Sequence, residues 1–345
     1  DGDPQWREVR YEVDDVMYGN VGLLELNGNE HIFPLDGQHR LEGIKAALKE
    51  SKKYENDTVP IMLIGHENSP KGMAKSRRIF SILNRYAKPV GKGDIIALDE
   101  DDTVAIVTRW LLESHELFID NRIKISNSKS IPTTDKSSFT TLMTLYDCHD
   151  ELFKAYHLRE KGKLLSSEKL KDYKRARPDD SEIKAFYDFA KSFWDEMIAN
   201  FTELREFIDN KTNEPALKYR PIGEGGNLFF RPVDFLPFVS AVCQIMTSQQ
   251  DYDYKTIIIN YASFLDRNVS SEFWAKILWD SSAKKMLVRN GSITKYLLIE
   301  MYSSDYLIQK DRNKMVERFV QLFGLANKNE AEEQIRLRYS NRMAR

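Results

Sequence analysis

The sequence predicts an α+β fold: a mixed α/β domain over residues 1–157, a basic linker or exposed helix over 158–179, and a helical domain over 180–345. Three observations carry this prediction. Short runs near the N-terminus alternate apolar and polar residues, which is strand periodicity. Strand, helix and strand signals then follow one another, the order of a mixed α/β unit. From Asp180 onward nearly every segment repeats its apolar residues at helical spacing. At 345 residues and 41% hydrophobic content, the chain has the length and the apolar surface for two cores.

The elements follow in order. Trp6 to Val13 alternates as a strand. Val21 to Leu26, Asn27-Gly28-Asn29, and His31 to Leu35 together read as a hairpin, because Asn-Gly adopts the positive φ angles of a tight antiparallel turn. After Asp36-Gly37-Gln38-His39-Arg40, the residues Leu41, Ile44 and Leu48 recur at helical spacing. Val59 to Ile64 is continuously apolar over a short stretch, which suits a buried strand. Helices are expected from Gly72 to Leu83, from about Lys92 through Leu112, and from Ser137 to Tyr156. Arg159 to Arg177 then holds eight basic residues against three acids, the composition of a solvated connector. Aromatic-rich helices are expected at Lys184–Phe207 and Tyr252–Leu265, and an amphipathic one at Lys310–Phe323.

Composition excludes several classes. The 51 Lys and Arg balance 53 Asp and Glu, so the protein is not basic all over as many bulk nucleic-acid binders are. Cys148 and Cys243 are the only cysteines, too few for a disulfide scaffold or a four-cysteine zinc site. The longest uncharged apolar run, Phe235 to Met246, falls short of the roughly 20 residues that span a bilayer. A cytoplasmic protein without a membrane segment is expected. The chain begins with Asp rather than Met, so an upstream segment is expected as well.

The turn Asp36 to Arg40 concentrates the chemistry. A helix start presents unpaired N–H groups and the positive end of the helix dipole, which suits phosphate. Gly37 lets the backbone approach a ligand, and Arg40 has the fork geometry that grips phosphate. Cations at a helix start oppose the dipole, so His39-Arg40 is unfavourable there unless an anion or a carboxylate compensates. The plain alternative is that Asp36 caps the helix, Gly37 turns the chain, and Arg40 pairs with an acid such as Glu42 or Glu67.

Asp36-Gly37-Gln38-His39-Arg40 is the signature of the DGQHR-domain family, which includes DndB-type proteins of DNA phosphorothioation systems and relatives in 7-deazaguanine DNA-modification clusters. Leu41, Ile44, Ala47 and Leu48 resemble that family's following helix. Phe80 to Arg85 with Lys88-Pro89 resembles its second block, and Ser138 to Leu142 with Leu145-Tyr146 its third. The family is similar to the ParB/sulfiredoxin group, so a ParB/sulfiredoxin-like N-terminal domain is implied.

The resemblance implies a protein of a bacterial DNA-modification or phage-defence system. Such a protein would bind, and as an NTPase hydrolyse, ATP or another NTP with Mg²⁺. Gly37, His39, Arg40, Asn84, Arg85 and Lys88 would hold the nucleotide. Asp36, Gln38, His39 and Arg40 would act in catalysis, with Asp36 also a candidate Mg²⁺ ligand. DNA and other subunits of a modification complex are the implied partners, and a homo-oligomer is compatible with the sequence. The alternative is a non-catalytic DNA-binding transcriptional regulator of a DNA-modification operon. Its DNA contacts would come from Arg77, Arg78, Lys174, Arg175 and Arg177.

Other constellations read more plainly. Asp99-Glu100-Asp101-Asp102 lacks the ligand spacing of a calcium loop and reads as a solvated turn. His115, His149 and His157 with Cys148 do not form spaced pairs of zinc ligands. Gly223 to Pro232 is a Gly-rich loop that either packs Phe229 and Phe230 into the core or presents Arg231 to phosphate.

Overall fold

The computed structural model describes residues 6–9, 23–26, 31–87, 92–162, 165–248 and 253–339. The chain divides into two compact units, 1–76 and 77–345, and the division falls within a helix.

In the first unit, β1 (Trp6–Val9) pairs antiparallel with β2 (Leu23–Leu26), Trp6 opposite Leu26 and Val9 opposite Leu23. Helix α1 (Gln38–Glu50) follows the Asp36-Gly37 turn, and α2 (Pro70–Ala87) begins in this unit. Pro70 suits the first position of α2, where no intrahelical N–H is required, and Ser69 Oγ accepts the Gly72 N–H at 3.0 Å.

Two strand expectations fail here. The partner of β2 is Trp6–Val9, whereas residues 31–35 form no strand, because Pro34 has no N–H to give a ladder. Val59–Ile64 likewise takes no strand pairing: Pro60 interrupts its donors, and Ile61 and Met62 are 76% and 80% exposed. A doubly covered strand needs neighbours on both edges and both faces. The described residues of this unit supply one antiparallel pair.

The second unit is helical. After α2 come α3 (Lys92–Leu98), α4 (Thr103–Ser114), α5 (Leu142–Lys161), α6 (Ser167–Asp172), α7 (Asp180–Asn200) and α8 (Thr202–Asp209). Then follow α9 (Pro232–Ser248), α10 (Tyr254–Phe264), α11 (Gly291–Tyr302), α12 (Gln309–Phe323) and α13 (Lys328–Tyr339). Among the described residues, three short strand pairs, β1–β2 included, complete the α+β fold. β3 (Ile123–Lys124) runs parallel to β4 (Thr140–Thr141), and β5 (Trp279–Asp280) antiparallel to β6 (Lys285–Met286).

Helix α9 is the centre of this unit. Phe235, Phe238, Val239, Ala241, Val242 and Ile245 are fully buried, so the helix is apolar all round and needs cover on every side. It packs against α5, α10 and α11. The longest uncharged apolar run is therefore a core helix, and no described helix is long and apolar enough to cross a membrane. Phe139, ahead of α5, packs its ring against Phe207, Phe230 and Phe235.

The expected domain boundary at 157 lies inside α5, which packs on α4, α7 and α9. Residues 92–157 therefore share one core with 180–345, because the buried faces of α4 and α5 find their apolar partners in the later helices. The basic segment 158–179 is also docked on this core. The Tyr173 ring packs on Phe153 and His157, with centroids 5.3 and 4.6 Å away.

Candidate functional site

Gly37 stands at the N-cap of α1 with φ 80° and ψ 19°, a left-handed conformation natural to glycine. No side chain caps the helix, and its first turn carries no acid. The first intrahelical bond runs from the Leu41 N–H to the Gly37 carbonyl at 2.9 Å, so the amides of residues 38–40 precede the ladder. Asp36 Oδ1 accepts the Gly37 N–H at 2.7 Å, and Asp36 Oδ2 lies 3.6 Å from Arg40 Nη2. The Arg40 side chain is 81% exposed and that of Asp36 50%, so the pair is weak and open to exchange. Gln38 is exposed at the first position of α1, and the His39 side chain lies outside the described residues.

Asn84 and Arg85 lie on α2 in the second unit, with side chains outside the described set, and Lys88 is outside the described residues altogether. Four of the five expected DNA-contact residues are engaged with carboxylates of the chain itself. Arg77 Nε lies 2.8 Å from Glu100 Oε1, Arg78 Nε 3.0 Å from Asp101 Oδ1, and Lys174 Nζ 2.6 Å from Asp150 Oδ1. Arg177 donates to the Glu100 carbonyl at 3.1 Å and to Asp180 Oδ1 at 2.7 Å. Arg175 is exposed and has no ion pair among the described residues.

These pairs overturn the reading of Asp99–Asp102 as a solvated turn, since all four residues are buried. Each acid has a reason to be there. Asp99 Oδ1 accepts the N–H groups of Asp101 and Asp102 at 2.9 and 3.2 Å. Glu100 gathers Arg77, Arg177 and Arg109, the last at 3.1 Å. Asp102 caps α4 through the Val104 and Ala105 N–H groups and accepts the Tyr146 hydroxyl at 2.6 Å. Burial raises the Asp102 carboxyl above its ordinary value, and the Tyr146 hydrogen bond opposes that rise. The sequence carried one signal for this arrangement: Asp102 stands two residues ahead of the apolar run Val104–Val107, the pattern of an N-cap.

The histidines of this unit are structural. His149 is fully buried, its Nε2 accepting the Trp194 indole N–H at 2.9 Å and its Nδ1 lying 2.8 Å from Thr108 Oγ1. Burial pushes it down to about 3, so the ring is neutral. His115 Nδ1 accepts the Leu117 N–H at 3.3 Å, and its Nε2 faces Asp195 Oδ1 at 3.2 Å. No group of three or more His, Cys, Asp or Glu among the described residues is placed to hold a metal.

The Gly-rich loop serves the core first, with Phe229 and Phe230 fully buried. Gly225 donates to Ser270 Oγ at 2.7 Å, and Asn227 to the Tyr219 carbonyl at 2.8 Å. Gly226 has φ 78°, and a Cβ there would come within 2.2 Å of the Tyr219 carbonyl oxygen. Arg231 turns back on the loop, donating to the Gly225 and Glu224 carbonyls at 2.7 and 2.9 Å. Sequence reading missed two further buried groups, Arg220 and Asp234, because nothing in the local pattern marks them as buried. The Asp234 carboxyl, with no hydrogen-bond partner, is pushed well above its ordinary value by burial.

Comparison with known proteins adds a family. A family model described as "DndB: DNA-sulfur modification-associated" matches residues 7–226. No curated protein and no solved structure matches.

Proposed function

Since the chain belongs to the DndB family of DNA-sulfur modification-associated proteins, we propose that it serves a DNA phosphorothioation system by binding and hydrolysing a nucleoside triphosphate at the Asp36–Arg40 turn. One observation carries the reading: α1 starts on a left-handed glycine with no side-chain cap, beside an exposed arginine. The unpaired amides of the first turn suit phosphate oxygens, and the dipole adds to their pull. Arg40 swings from Asp36 to the phosphates at little cost, because an exposed pair contributes about 0–1 kcal/mol. His39, one position ahead of Arg40, adds a further donor.

Released from Arg40, Asp36 is the sole carboxylate of the turn. Mg²⁺ commonly takes one or two carboxylates together with substrate phosphates, so Asp36 fits as the protein's contribution. The ion would neutralise charge on the triphosphate. Gln38 orients the water that attacks the terminal phosphorus, whose bond to the bridging oxygen breaks as the diphosphate leaves. Such transfer depends on positioning and charge neutralisation, which these residues supply.

Colorimetric phosphate release from wild type, Arg40→Ala and Asp36→Ala tests the proposal. Both side chains are half or more exposed, so neither change disturbs a core. Each variant is expected to lose at least tenfold in rate. Equal, background-level release from all three removes the hydrolytic reading. A second reading, a DNA-binding regulator without catalysis, is favoured by the exposed cations Lys169, Lys171 and Arg175.

A further inference from the structure

We propose that a pocket in the second unit, separate from the Asp36–Arg40 turn, binds the phosphate group of a small phosphorylated molecule. The cavity has a volume of about 260 Å³ and is walled by segments 131–136, 216–224 and 279–286, with Arg231. Its charged lining is Arg220, Arg231, Lys284, Lys285 and Lys136, the last paired with Glu214, against Asp135 and Glu224, an excess of positive charge.

The acids cancel only part of this excess. Asp135 accepts the Ser138 N–H at 2.9 Å and the Ser138 hydroxyl at 2.8 Å, and it is shared between Lys124 at 3.4 Å and Arg220 Nη2 at 3.6 Å. Glu224 is exposed. Lys284 and Lys285 have no ion pair among the described residues.

Arg220 is the most telling member. Its side chain is only 7% exposed, its Nη2 donates to the Asp135 carbonyl at 2.9 Å, and its buried Nε has no hydrogen-bond partner. Buried donors are almost always paired, so a guanidinium that lines the cavity while its shielded Nε–H goes unpaired is short of an acceptor. A phosphate oxygen is such an acceptor and brings the matching charge.

Arg231 is held in advance, clamped by the two loop carbonyls it donates to, and a fixed donor of this kind loses little freedom on binding. Lys284 and Lys285 are exposed, and the backbone that carries them is set by a turn in which Asp280 Oδ1 accepts the Ser282 and Ala283 N–H groups, both at 3.0 Å. Trp279, Met286 and Ile222 supply apolar wall for the organic part of the ligand. The pocket is enclosed by three segments, which fits a terminal or free phosphate; a duplex backbone needs an open track.

The test is calorimetric titration of pyrophosphate into the Arg40→Ala chain, so that the turn's arginine does not contribute. It is repeated with Lys284→Asn and Lys285→Gln added. Both lysines are exposed, and Asn tolerates the left-handed backbone of Lys284, φ 49°. Saturable binding that weakens at least tenfold in the lysine variant is the expected result. Equal binding by both proteins overturns the proposal, as does no saturable heat at about 1 mM pyrophosphate. A duplex lacking terminal phosphates is the competitor. If it displaces pyrophosphate, the small-molecule assignment falls. None of these outcomes depends on hydrolysis at Asp36–Arg40.

Discussion

At His149, hydrogen-bonding partners select a tautomer. The Trp194 N–H occupies Nε2, so the ring proton sits on Nδ1 and points to Thr108 Oγ1, whose own proton goes to the Val104 carbonyl at 2.7 Å. Protonating the ring would break the Trp194 bond, which compounds the cost of burying charge. The pH sign follows. With the folded value near 3 against an ordinary 6.5, the unfolded chain takes up the proton first as pH falls. This group's contribution is intact above pH 6.5 and is lost towards about pH 3, at roughly 1.4 kcal/mol per pH unit. Asp234 has the opposite sign, since its raised value makes the fold, not the unfolded chain, hold the proton. Urea denaturation of wild type and His149→Gln between pH 4 and 7 isolates the histidine. The glutamine variant, which keeps a donor and an acceptor, should show the shallower loss of stability on acidification. At this scale the sequence was readable where backbone chemistry is local. Gly37 announced a turn, whereas His149 needed the distant Trp194 to give it a role.

Among the elements, α4 shows how a run of four acids becomes interior. Asp102 caps it, Asp99 ties the preceding backbone, and Glu100 draws in arginines from α2, from α4 itself and from the segment before α7. Removing one partner of a buried ion pair typically costs about 3–5 kcal/mol, because the other charge stays behind. Glu100→Ala leaves three guanidiniums facing one another and should approach that figure. Arg177→Ala leaves Glu100 with two arginines and should cost less. Urea midpoints of the two variants give the order, and the reverse order would refute this account of the network. Element reading from the sequence located most of the helices but misjudged Val59–Ile64 and 31–35. An apolar run shows that a segment can be buried, not that a neighbouring strand exists to pair with it. Pro34 and Pro60 were the available warnings.

For the whole molecule, the near balance of charge resolves into internal neutralisation. Arg77, Arg78, Lys174 and Arg177 face carboxylates of their own chain, whereas Lys169, Lys171 and Arg175 are exposed and outside any ion pair among the described residues. Duplex binding through these three cations alone should therefore show a slope of log affinity against log salt of about −3, at 0.9 per neutralised phosphate. A slope near −6 would mean that the paired cations release their carboxylates to reach DNA. Fluorescence anisotropy at several salt concentrations measures it. The helical bulk of the second unit was legible from periodicity. Its extent was not, because the contacts that unite the segment before residue 157 with the segment after 180, such as His149 with Trp194, join residues far apart in the sequence.

That packing has a consequence during synthesis. Helix α5 begins at Leu142, and α9, which covers it, begins at Pro232. At about 5–20 residues per second, the apolar face of α5 leaves the ribosome roughly 5–18 seconds before its cover is made. During that interval the nascent chain has to be shielded by α4, by a chaperone, or by its own slow compaction.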